Sequence, residues 1–89
     1  WVVSMRHDLK TWPEFFAAVI DGRKTFEVRR TDDRRFAVGD VLRLREWDPA
    51  GGAYTGRETT RRVSYIVEGP PFLSAGLAVL GLVSDGGGS

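Results

Sequence analysis

The sequence predicts a small α+β domain, a barrel of about five mostly antiparallel strands with one main helix after the first strand. Three observations point there. One segment near the start repeats its apolar residues at helical spacing and carries start and stop signals. The remaining apolar residues alternate in short runs bounded by turn formers. No further helical segment joins those runs, so an antiparallel barrel with the helix against one end is the simplest closure.

The first strand is expected over Trp1–His7, with Val3, Met5 and His7 on one face and Val2, Ser4 and Arg6 on the other. Asp8 to Lys10 leads into the helix. Thr11 and Glu14 form a T-x-x-E capping pattern, and Pro13 falls in the first turn, where its missing N–H costs little. Trp12, Phe15, Phe16, Val19 and Ile20 form the stripe expected to be buried, and Gly22 closes the helix. A second strand is expected over Lys24–Arg30, with Phe26 and Val28 on one face and Thr25, Glu27 and Arg29 on the other. Thr31 to Arg35 reads as a charged loop, and Val38-Gly39-Asp40 as a tight turn. The third strand, Val41–Trp47, places Leu42, Leu44 and Glu46 on one side. Asp48 to Gly56, with Pro49 and three glycines, reads as an irregular hairpin loop. A fourth strand follows at Thr59–Val67, with Val63, Tyr65 and Val67 inward. Gly69-Pro70-Pro71 breaks it, and Leu77–Val83 is the last strand.

At 89 residues the chain has room for one domain, assigned to residues 1–85, with Gly86 to Ser89 as a linker or appended remnant. The start at Trp1, without a methionine, is expected of a fragment and leaves room for a fused partner domain. The absence of cysteine removes disulfides and thiolate metal sites, and the single histidine and scattered acids give no ligand spacing, so no metal or cofactor is expected. No apolar run approaches the roughly 20 residues that cross a bilayer. The net charge is only +1, but eleven of the thirteen cations are arginine, whose guanidinium suits bidentate phosphate contact and stacking. An arginine-rich composition also follows from a GC-rich genome, so this bias decides nothing alone.

Lys24, Glu27 and Arg29 are the first candidates for chemistry. Glu27 and Arg29 lie at i and i+2 on one strand face, and Lys24 starts the strand beside the helix end. A carboxylate there can accept from a cytosine or adenine amino group, while the cations meet phosphate or a carbonyl oxygen. The plainer alternative is a salt bridge that only fixes the barrel. Glu46, on the face of Leu42 and Leu44, is a carboxylate where solvent is not expected, and a buried acid needs a partner. His7 shares a face with apolar residues and reads either as a core histidine or as part of a pocket. Trp12 and Trp47, ahead of Phe26, Tyr54 and Tyr65, could stack on a base. Arg30, Arg34 and Arg35 form a basic loop suited to phosphate, although Asp32 and Asp33 interrupt it.

The stretch Gly22-Arg23-Lys24-Thr25-Phe26-Glu27-Val28-Arg29 resembles the G-x-K-x-x-E-x-R signature of ASCH domains in the PUA-like superfamily. His7-Asp8-Leu9-Lys10, Thr11 to Phe16, Phe36 to Asp40 and Glu46 to Pro49 extend the likeness to a phage and bacterial branch of the DUF3850 type, over roughly residues 5 to 83. The resemblance implies a PUA-like pseudo-barrel of about five strands with a cleft beside the helix. It also implies an RNA or DNA ligand, or a modified nucleoside, with a base turned out of its stack. The expected setting is cytoplasmic, in a bacterium or encoded by a phage, and the expected state is monomeric, without membrane attachment.

Two classes of function follow. In the first, a binding module reads a base with Lys24, Glu27 and Arg29, and nearby arginines hold the backbone. His7, Trp12, Glu46 and Trp47 complete its ligand set. In the second, a small hydrolase of a modified nucleoside or of RNA uses Lys24 as base or oxyanion partner and Glu46 or Glu27 as proton relay. The amidohydrolases that the signature resembles carry a threonine nucleophile three positions after the lysine. Glu27 stands there in this chain, and a carboxylate does not replace a hydroxyl nucleophile without changing the chemistry. The binding module is therefore the preferred expectation. A protein-interaction accessory domain is a third class, with only exposed aromatics and arginines behind it.

Overall fold

A computed structural model of the chain describes residues 4–85. In chain order it contains β1 (Arg6–Thr11), α1 (Pro13–Ile20), β2 (Phe26–Arg30), β3 (Val41–Asp48), β4 (Ala53–Glu68) and β5 (Leu77–Val83). The five strands form one curled sheet, a half-barrel, in the order β1-β3-β4-β5-β2. β1 runs parallel to β3, and the other three pairings are antiparallel. A parallel neighbour needs a long connection. Here α1, β2 and the loop that follows supply it before the chain returns as β3, and α1 packs against β3.

The inner face carries the core. Leu9, Val19, Leu42, Leu44, Val63, Ala78, Leu80 and Leu82 pack as one cluster, with Phe36 and Ile66 against its margin. The expected barrel does not close, because β1 and β2 end the sheet on opposite sides and do not pair with each other. Arginine side chains bridge that seam instead. Arg29 Nη2 donates to the Lys10 carbonyl at 3.0 Å, and Arg34 Nη1 donates to the Asp8 carbonyl at 3.4 Å. An edge strand left bare would present such carbonyls to any other chain.

Several elements differ from expectation for identifiable reasons. Asp8 to Lys10 belongs to β1, whose buried residues are His7, Leu9 and Thr11, while Met5 is exposed. Residues 1–3, the expected strand start, and 86–89, the expected tail, lie outside the described residues. Thr11 is a buried strand residue paired with Glu46, and it does not cap the helix. Trp12 takes the cap position in an extended conformation (ψ 153°) and makes no side-chain cap bond. A residue before proline is held out of the helical region by the proline ring, so Pro13 moves the boundary. Within the expected stripe only Phe16 and Val19 are buried. β4 starts at Ala53, so the hairpin turn is shorter than the expected loop. A register shift between Val63 and Tyr65 then reverses its phase: Val63 is buried, Tyr65 is 70 % exposed, and Ile66 turns to the core.

Candidate functional site

The end of α1 sets up the main cleft. Gly22 adopts φ +85°, a region that L side chains rarely enter, and lets the chain double back. The Gly22 N–H reaches the Val19 carbonyl at 3.2 Å, and the Lys24 N–H reaches the Ala18 carbonyl at 2.9 Å. Lys24 is thereby pinned to the last turn of the helix, two residues before β2 begins. β2 pairs with β5 so that Glu27 stands opposite Leu80, a fully buried core residue. Directly opposed residues of an antiparallel pair share a sheet face, so Glu27 points inward. Only 3 % of Glu27 is exposed.

Two cations compensate that buried carboxylate. Lys24 Nζ donates to Oε2, and Arg29 Nε donates to Oε1 at 3.1 Å, with Nη2 at 2.9 Å from the same oxygen. A buried carboxylate requires such partners, since leaving it alone would cost several kcal/mol. One negative charge shared by two positive ones leaves the group cationic by one unit. An ionised carboxylate offers about four acceptor positions, so Glu27 keeps capacity for a further donor.

A cleft of about 620 Å³ opens over this group. Trp12, Phe15, Phe26 and Val28 wall it, with Thr11 and Lys10 along the β1 side. Trp12 and Phe15 each keep 49 % of their surface exposed and Phe26 keeps 43 %, although the helical stripe predicts Trp12 and Phe15 in the core. On β2 the apolar face is likewise the exposed one. The strand's apolar residues Phe26 and Val28 face outward into the cleft, and its charged residues Glu27 and Arg29 form the inner side. A second cleft of about 500 Å³ adjoins the first along the seam and shares Lys10, Val28 and Arg29 with it. Arg30, Arg34 and Tyr54 line this second cleft. Arg30 is also paired with Asp32 at 3.0 Å, and Arg35 is exposed and lines neither cleft.

Other candidates lie apart from the Lys24–Glu27–Arg29 group. Glu46 is buried beside Leu42 and Leu44, as its strand position predicts. It accepts from Thr55 Oγ1 at 2.7 Å and lies 3.8 Å from Arg57, and it lines neither cleft. Trp47 packs edge-on against Tyr54, ring centroids 5.0 Å apart, with Lys10 Nζ 4.0 Å above its ring. His7 is buried with Nε2 at 2.9 Å from Asp40 Oδ2 and its ring against Phe36. Asp40 also accepts from the Met5 N–H at 3.0 Å and the Ala37 N–H at 2.9 Å. Burial opposes ionisation of Asp40, but those N–H donors and the His7 ring outweigh it and hold the carboxyl below its usual range. His7 is therefore part of a polar clamp that fixes β1 to the turn before β3.

The importance of Asp40 and the exposure of Phe15 were not legible in the residues. Asp40 reads as a turn former after Gly39, and Phe15 reads as one more member of an amphipathic stripe. Among the described residues no three His, Cys, Asp or Glu gather as a metal would require, and no helix is long and apolar enough to cross a membrane.

Comparison with known proteins bears on the family. The profile described as "Domain of unknown function (DUF3850)" matches residues 6–82. A relative from Escherichia phage P2, described as "Uncharacterized 12.9 kDa protein in GpA 3'region", is 34% identical over 62 residues. That alignment covers 70% of this chain and 54% of the relative, so the chain spans about half the relative's length. With the profile match running from β1 through β5, the chain belongs to the DUF3850 family.

Proposed function

We propose that this domain is a nucleic-acid-binding module that takes one base, turned out of its stack, into the cleft beside α1. The observation that carries this reading is Glu27, buried and bridged by Lys24 and Arg29 beneath half-exposed aromatic walls. Exposed aromatic surface gathered in a concave site is characteristic of ligand pockets, and a volume of about 620 Å³ lies within the span of roughly 300–1,000 Å³ usual for them. Trp12, Phe15 and Phe26 would supply faces for stacking, which is worth roughly 1–3 kcal/mol per base. The remaining acceptor capacity of Glu27 suits one exocyclic amino group, as on cytosine or adenine, and the excess positive charge suits a carbonyl oxygen or a phosphate.

The likeness of Gly22 to Arg29 to the ASCH signature supports the same reading, since that superfamily is expected to hold bases, often modified ones, in this position. A cytosine-type base, plain or modified, is the first choice. The hydrolase alternative pairs Lys24 with Glu27 or Glu46 as proton relay; Glu27 is within reach of Lys24 but is held between two cations. Glu46, the other buried glutamate, lies with Thr55 and Arg57, and that favours binding over catalysis.

The test is a fluorescence-anisotropy titration against matched single- and double-stranded RNA and DNA carrying plain and modified cytosines, at two salt concentrations. Salt-sensitive binding that discriminates among bases is the expected result. Absence of binding at tens of micromolar protein would remove the proposal.

A further inference from the structure

We infer that the ligand of this domain is a single-stranded polynucleotide rather than a free nucleoside, with the second cleft holding the backbone and a neighbouring base. The inference rests on the base-binding reading of the first cleft and specifies its substrate class. Three observations carry it. The two clefts are contiguous, meeting at Lys10, Val28 and Arg29, so a ligand seated in one has a groove leading away from it.

The second observation concerns charge. The chain as a whole carries only +1, yet the second cleft is lined by Lys10, Arg29, Arg30 and Arg34 against Asp8 and Asp33. Arg29 and Arg30 are engaged with Glu27 and Asp32, and Asp8 is drawn to Arg43 at 3.1 Å. Lys10 and Arg34, by contrast, have no carboxylate partner among the described residues. Arg34 commits one N–H to the Asp8 carbonyl, and its guanidinium has five to offer. Asp33, the other acid of this lining, has no cation partner among the described residues either, so Lys10 and Arg34 leave the lining one positive charge in excess along the seam, where a phosphate leaving the first cleft would pass.

The third is Tyr54, a half-exposed ring on the wall of the second cleft, braced by the Trp47 ring and by the Arg45 guanidinium 4.0 Å from its centroid. A half-exposed aromatic ring beside a lining with excess positive charge is the kind of surface on which proteins hold single strands without reading sequence. A duplex would first have to give up the pairing and stacking of the base that enters the first cleft, roughly a few kcal/mol that a single strand largely avoids. The groove thus has a use for at least one nucleotide beyond the one in the first cleft.

The experiment is a length series on the full chain. Each of the four nucleoside 5′-monophosphates is compared with its homohexamer, in ribo and deoxy forms, and with a hexaglutamate peptide, at two salt concentrations. The expected result is hexamer binding tighter than monophosphate binding by on the order of tenfold or more, with a steeper salt dependence. Arg34→Gln should reduce the hexamer salt slope by about one unit, with thermal melting used to check that the variant folds. Equal affinity for monophosphate and hexamer would overturn the polymer inference and leave the base pocket standing. Binding of neither would overturn both. Hexaglutamate binding as tightly as the hexamers would overturn the inference in favour of an acidic peptide.

Discussion

Arg29 on β2 donates through Nη2 to the main-chain carbonyl of Lys10 on β1, at 3.0 Å, across the seam where the sheet fails to close. The same guanidinium holds Glu27 at the floor of the main cleft. One side chain therefore couples the shape of the cleft to the charge inside it.

Arg29→Lys keeps a cation for Glu27 but loses the planar fork that reaches two acceptors at once. The expected cost is about 1–2 kcal/mol in denaturant unfolding. Hydrogen exchange should quicken in β1 and β2 while the paired amides of β3 and β4 keep their protection. Unchanged exchange along the seam would show that Arg29 does not hold it.

Asp40 gives a pH dependence with a definite sign. Its folded-state pKa lies below the ordinary 3.8, so the unfolded chain binds the proton more readily. Stability from this group is fully present above the unfolded pKa and is lost as the pH falls through the lower folded pKa. Asp40→Asn should cost about 2–3 kcal/mol near neutral pH, because the Met5 and Ala37 N–H groups and His7 lose an ionised acceptor. Unfolding measured across the acid range should show a shallower decline for the variant than for wild type.

The orientation of β2 can be checked by stability alone. Val28 is 51 % exposed on the cleft side, and Leu80, on the neighbouring strand, is fully buried. Val28→Ala should change stability by no more than about 0.5 kcal/mol, whereas Leu80→Ala should cost about 2–5 kcal/mol. A large loss at Val28 would mean that the apolar face of β2 packs inward.

That orientation also marks where sequence reading stops. The last strand, the helix end at Gly22 and the inward run Leu42, Leu44, Glu46 were legible, because each follows from a local rule of period or turn geometry. β1 was misplaced because Asp8 and Lys10 alternate with buried residues on a strand whose outer face is charged. β4 lost its phase at Ser64, where one extra residue turns Tyr65 outward, and no composition cue marks such a bulge. Which face of β2 turns inward depends on Lys24 and Arg29 arriving to neutralise Glu27, a tertiary fact. Of the candidate site, Lys24, Glu27, Arg29 and Trp12 meet in one cleft, whereas His7, Glu46 and Trp47 have partners elsewhere.

The central claim is that Glu27 reads a base, and Glu27→Gln tests it most directly. Glutamine preserves the shape of the side chain but removes the charge that Lys24 and Arg29 compensate. In the anisotropy titration the variant should bind more weakly and lose discrimination among bases, with the folded state retained by circular dichroism. A folded variant that binds every RNA and DNA ligand as wild type does would contradict it.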